Sequence, residues 1–150
     1  MCQVLLISTD KWIDLRIYNC ENISFTQTLP DYVPEIHEMK FKYRWYIAGY
    51  PNEKACSCHF RIRPLALGFN NPESWYEEDE QSIKATLIAY DIFSELIAQN
   101  INFEIIVSWS QGSINEDINT IHDIQLDFTN IDKTQFAFIE NSRMLYKSKG

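Results

Sequence analysis

The apolar positions of this chain change period several times, and each change marks an element. Residues 3–8 (Gln-Val-Leu-Leu-Ile-Ser) are a run of leucine and β-branched residues and predict a buried strand. From Thr9 to Glu38 the signal is weak. Residues 9–15 fit a loop or a short helical turn, and residues 23–28 alternate weakly, as a strand would. Pro30 and Pro34 interrupt regular structure, and Pro34 suits the first position of a short helix reaching Lys40. Residues 43–49 are aromatic-rich and predict a strand. Residues 55–63 alternate, and with the turn at Pro51-Asn52-Glu53-Lys54 they predict a hairpin with 43–49.

A loop rich in Gly, Asn and Pro fills residues 64–72. The clearest element follows it: a helix from Asp79 or Glu80 to about Gln99, an 80–99 span. Ile83, Leu87, Tyr90 and Ile97 recur at helical spacing, and Phe93 and Leu96 widen the stripe. Acidic residues crowd the start of this helix, where they complement its dipole, and Asn100 suits the C-terminal stop. Residues 102–109 predict a strand. Residues 121–129 alternate, with Ile124, Leu126 and Phe128 on one face and Asp123, Gln125, Asp127 and Thr129 on the other. Phe136, Phe138, Met144, Leu145 and Tyr146 predict a last short helix or strand pair. The expected fold is α+β: a mostly antiparallel β-sheet with one long amphipathic helix packed on one face.

With 150 residues the chain is one domain's worth, 1–150, and can bury a core without a metal or disulfide staple. Apolar residues make up 45% and charged residues 23%, which excludes a disordered chain and a coiled coil. The start lacks a basic n-region, and Asp10 and Lys11 interrupt any apolar h-region, so a cytoplasmic protein without a signal peptide is expected. No apolar stretch approaches the ~18–20 residues of a spanning helix, so no membrane partner is expected. In a reducing cytosol the four cysteines (Cys2, Cys20, Cys56, Cys58) are expected as thiols.

Ala55-Cys56-Ser57-Cys58-His59-Phe60 is the most conspicuous local pattern. In a regular strand Cys56 and Cys58 share a face and His59 points the other way. A zinc site needs about four ligands, and none of Cys2, Cys20, His37 and His122 has ligand-like spacing to the pair. The plain expectation is therefore two small buried thiols, with no metal and no cofactor. A metal- or thiol-dependent protein built on Cys56 and Cys58 stays open as the alternative.

The run Trp45-Tyr46-Ile47-Ala48-Gly49, then Cys56-x-Cys58-x-Phe60, then Trp75-Tyr76 before an acidic-capped helix resembles a group of small bacterial proteins. Those carry a Cys-x-Cys-Gly-Phe strand and an N-terminal strand similar to Cys2–Thr9. The resemblance spans most of the chain and departs at His59, where the group has glycine. It implies a small bacterial cytosolic protein and brings no assigned activity or site residues with it.

No catalytic residues are expected. The three histidines lie in no HExxH or zinc-deaminase pattern, and Ser110-Gln111-Gly112-Ser113 is not a nucleophile elbow. Charge is more informative. The chain carries a formal charge of −8, which argues against direct nucleic-acid binding. Residues 1–68 hold 8 basic and 7 acidic side chains, whereas residues 69–150 hold 5 and 14. Between 69 and 132 Lys84 is the sole basic residue, against 13 acids. The densest cluster, Glu73, Trp75, Tyr76, Glu77, Glu78, Asp79 and Glu80, surrounds two aromatics, and Glu116 and Asp117 begin a second set. Such runs often serve only solubility and helix capping. Acids around aromatic anchors also make a docking surface for a basic protein partner. The expected function is an acidic binding or inhibitory protein, of the bacterial immunity-protein kind, that neutralises a toxin or nuclease by occluding its basic surface. A nucleic-acid mimic that inhibits a host nucleic-acid enzyme, or a housekeeping interaction domain, remain alternatives.

Overall fold

In a computed structural model, residues 2–27, 39–49, 60–63, 80–110, 122–128, 130–140 and 142–147 are described. The apolar run at the N-terminus forms β1 (Cys2–Thr9). Every residue from Val4 to Thr9 is buried, so both faces of the strand are covered. That explains a continuous apolar run where a half-exposed strand would alternate. The same holds for β5 (Phe103–Ser110), buried from Phe103 through Ser108. β1 and β5 pair antiparallel at the centre of a six-stranded sheet. β3 (Tyr43–Gly49) and β2 (Ile23–Thr26) extend it on one side, and β8 (Ser142–Tyr146) and β6 (His122–Gln125) on the other. The order is β2-β3-β1-β5-β8-β6, and only the β6–β8 pair is parallel. The α+β, mostly antiparallel expectation therefore holds.

The expected hairpin between 43–49 and 55–63 does not form in the described residues. Both sides of β3 are taken by β1 and β2. The short β4 (Ile62–Arg63) instead pairs in parallel with β7 (Phe138–Ile139), apart from the main sheet. Of the expected last strand pair, β7 and β8 both form, but each pairs elsewhere. The alternating run at 121–129 contributes only His122–Gln125 to the sheet; Ile124 is half-buried and Leu126 buried on the expected side. Among the described residues, the weak segment after β1 holds, besides β2, a 3-10 turn, Leu15–Tyr18, capped by the Asp14 carboxylate, which accepts from the Arg16 N–H. The short helix expected from Pro34 to Lys40 lies largely outside the described residues, as does the loop at 64–72.

The helix α1 spans Glu80–Ala98, close to the expected bounds. Its end is a Schellman motif: the Ile101 N–H donates to the Leu96 carbonyl and the Asn100 N–H to that of Ile97, both at 3.0 Å. Asn100 takes the left-handed conformation this requires, with φ at 58°. The buried seam differs from the expected stripe. Ala85, Thr86, Ala89, Ile92, Phe93 and Leu96 are buried, whereas Ile83, Leu87, Tyr90 and Ile97 are half-buried flanks. Small side chains at 85 and 89 permit close packing of the helix, and Thr86 ties it down: its hydroxyl accepts from the Arg61 N–H (2.7 Å) and donates to the Ser82 carbonyl (2.7 Å).

The core between α1 and the sheet is aromatic. Phe93 stacks on Phe103 with centroids 5.4 Å apart and meets Phe136 and Phe138 edge-on. These rings join Leu5, Ile7, Trp45, Ile47 and Ile105 in one apolar cluster on the sheet's first face. A smaller cluster of Val4, Leu6, Met39, Tyr46, Ala48 and Ile106 lies on the second face.

Candidate functional site

Most of the expected docking residues (Glu73, Trp75, Tyr76, Glu77, Glu78, Asp79, Glu116 and Asp117) lie outside the described residues, as do Cys56 and Cys58. Glu80 is placed: it is exposed in the first turn of α1. Along the solvent side of the same helix Asp91 and Glu95 are also exposed, with Lys84 as the helix's basic residue. Asp91 pairs with Lys133 at 2.8 Å, so part of this acidity is neutralised locally. Cys20 is an exposed free thiol.

The second face of the sheet holds charge that pattern reading overlooks. Strand register sets two rows of neighbours across it. One runs Arg44, Ser8, Glu104, Leu145, Gln125; the next runs Tyr46, Leu6, Ile106, Arg143, Asp123. The apolar Leu6–Ile106 pair thus gives way to the polar Ser8–Glu104 pair two residues along the strands. Glu104 is fully buried in the first row. Its Oε1 accepts from the Lys40 N–H at 2.9 Å, and the hydroxyl of neighbouring Ser8 accepts from the Phe41 N–H at 3.3 Å. Together they fasten the segment that enters β3, while the Arg44 guanidinium donates to the Met39 carbonyl.

The other carboxylate oxygen of Glu104 has no hydrogen-bond partner among the described residues. The Arg143 Nε is 3.8 Å from it, too far for a hydrogen bond. Burial raises the Glu104 pKa above its ordinary value, opposed by the Lys40 N–H and by the charges of Arg143, Lys40 and Arg44. A clean signal was available for it: one carboxylate inside the run Phe103-Glu104-Ile105-Ile106-Val107, with Ile106 on its own face.

Two clefts flank this edge of the sheet. One, of about 370 Å³, is lined by Lys40, Asp123, Ile124, Gln125, Arg143 and Leu145. The other, of about 540 Å³, lies between the second half of α1 and β6 and is mainly apolar, with Tyr90, Phe128 and Tyr146 in its wall. Among the described residues no group of three or more His, Cys, Asp and Glu side chains is arranged to hold a metal ion, and no helix is long and apolar enough to cross a membrane. Set against family models, curated proteins and solved structures, the chain has no match.

Proposed function

We propose that this chain is an acidic protein-binding domain of the inhibitory kind: a bacterial immunity protein, acting in the cytoplasm, that occludes the basic surface of a cognate toxin. The observation that carries this reading is the segregation of charge, with one basic residue against 13 acids between positions 69 and 132. The fold supports it. Glu80, Asp91 and Glu95 are exposed on α1, which packs on the first face of the sheet. Arg143 belongs by register to the second face. An acidic side of this kind suits a nuclease, whose active cleft is built to attract phosphates. Acidic rim residues speed encounter, and aromatic anchors supply the central energy.

The test is co-expression with the product of the adjacent gene. The chain is expected to relieve that protein's toxicity and to form a complex with it. Reversing Glu77, Glu78 and Glu80 to lysine is expected to slow association, most at low ionic strength. Truncating Trp75 or Tyr76 to alanine is expected to weaken the complex by about 2–4 kcal/mol. An association rate for the triple reversal unchanged across a salt series would reduce these carboxylates to a solvated helix cap.

A further inference from the structure

Among the described residues two large apolar side chains stand open to solvent: Trp12 is 53% exposed and Ile17 70%. Both lie on the segment that joins β1 to β2, with Ile17 inside the Leu15–Tyr18 turn. Trp12 is firmly mounted. Its ring stacks on the fully buried Trp45 with centroids 5.9 Å apart and meets Tyr43 edge-on at 5.5 Å. The backbone leading to it is tied down as well. The Thr9 hydroxyl donates to the Lys11 carbonyl and the Lys11 ammonium to the Asn100 carbonyl, each at 2.9 Å. The Asp10 carboxylate accepts from the Asn102 N–H at 2.9 Å and from its side-chain amide at 2.8 Å. Single exposed apolar residues are ordinary. A tryptophan already fixed in place differs from them, because a partner that covers it gains apolar area with little further loss of freedom.

The charges around the patch select the partner. Its cations are engaged within the chain: Arg16 lies over Trp45 and pairs with Asp14 at 2.8 Å, Lys11 holds the end of α1, and Lys42 lies over the Tyr43 ring. Its acids are open. β2 packs against both the Leu15–Tyr18 turn and α1. Glu21, shortly before β2, and Glu95, in the second half of α1, are exposed and in no ion pair among the described residues. Burial, and after it the Glu95 charge, push up the phenol of Tyr18, the neighbour of Ile17.

We propose that Trp12 and Ile17 are the apolar anchors of the surface on which the basic partner docks, with Glu21 and Glu95 as its acidic rim. This rests on the reading of the chain as an acidic protein-binding domain, and it moves the anchors to the segment between β1 and β2. Tryptophan is among the residue types that most often dominate interface energy.

The probe is the purified product of the adjacent gene, titrated with the full chain in surface-binding kinetics. Trp12→Ala is expected to lower affinity by ~30-fold or more. Ile17→Lys alters a largely exposed position, so its melting temperature is expected to match that of the wild type. Its affinity is expected to fall at least ~10-fold, mainly through faster dissociation. Glu95→Lys is expected to slow association, most at low ionic strength. Asp123→Lys makes the same charge change on β6, at the opposite edge of the sheet, and is expected to slow association less. Wild-type affinity in Ile17→Lys would overturn the proposal, as would equal slowing by Glu95→Lys and Asp123→Lys; both leave the binding reading standing, with its anchors at Trp75 and Tyr76. A wild-type chain that forms no complex would overturn the reading and the proposal together.

Discussion

The two faces of the central sheet are built from the same strands and differ in kind. On the first, Phe93, Phe103, Phe136 and Phe138 close over Leu5, Ile7 and Ile105 in an apolar, aromatic core. On the second, Leu6 and Ile106, in register with Arg143, adjoin a row that holds Arg44, Ser8 and Glu104. At the centre of the sheet both faces are buried: Ile105 and Glu104 are adjacent in sequence and each fully buried. For Ile105 burial is favourable in itself. For Glu104 it is offset only where hydrogen bonds and charges reach the carboxylate, and one oxygen lacks a hydrogen bond among the described residues. A side chain buried at such a cost is tolerated where it fastens a segment, as Glu104 does for the entry to β3.

The largest expected effect is on the first face. Phe93→Ala opens a cavity among three rings and is expected to cost about 3–5 kcal/mol in denaturant unfolding. A loss below that range would mean that the rings collapse to fill the space. On the second face, Glu104→Ala strips the Lys40 N–H of its acceptor and removes the carboxylate 3.8 Å from the Arg143 Nε. A loss of about 1–3 kcal/mol is expected. Glu104→Gln keeps an acceptor and removes the titration. Because burial raises the Glu104 pKa in the folded state, the stability it lends is full below the ordinary carboxyl range and declines as pH rises through the folded value. The wild type is therefore expected to lose stability relative to Glu104→Gln across that window, read as the difference in melting temperature against pH.

Smaller effects mark the edges of the comparison. Asn100→Ala places a β-carbon in the left-handed conformation at the end of α1 and is expected to cost about 1–2 kcal/mol, with Asn100→Gly near neutral. Asp91→Asn breaks an exposed ion pair on the outer side of α1 and is expected to change stability by about 0–1 kcal/mol.

The same division decides what could be read from the chain alone. β1, β3, β5 and α1 are legible because apolar runs and helical spacing are local signals, and Asn100 is legible as a stop. The seam of α1 is less so: Ala85, Thr86 and Ala89 pack by being small, which hydrophobic scoring undervalues beside Ile83 and Leu87. The β4–β7 ribbon is two residues long on each side and joins positions 62 and 138, beyond any local pattern. The polar row on the second face depends on strand register, since Ser8, Glu104 and Arg143 become neighbours only when β1, β5 and β8 align. The acidic clusters are plain in composition, yet composition says where charge lies in the chain and not what it meets.

The second face keeps a buried carboxylate that its neighbouring cations do not fully compensate. The most direct measurement is a site-resolved NMR titration of the Glu104 carboxyl in the intact chain. A midpoint above the ordinary value of 4.5 is predicted, because loss of solvation outweighs the Lys40 N–H and the charges of Arg143, Lys40 and Arg44. A midpoint at or below 4.5 would contradict the account, and would make Glu104 an ordinary ion-paired anchor with its charge fully met.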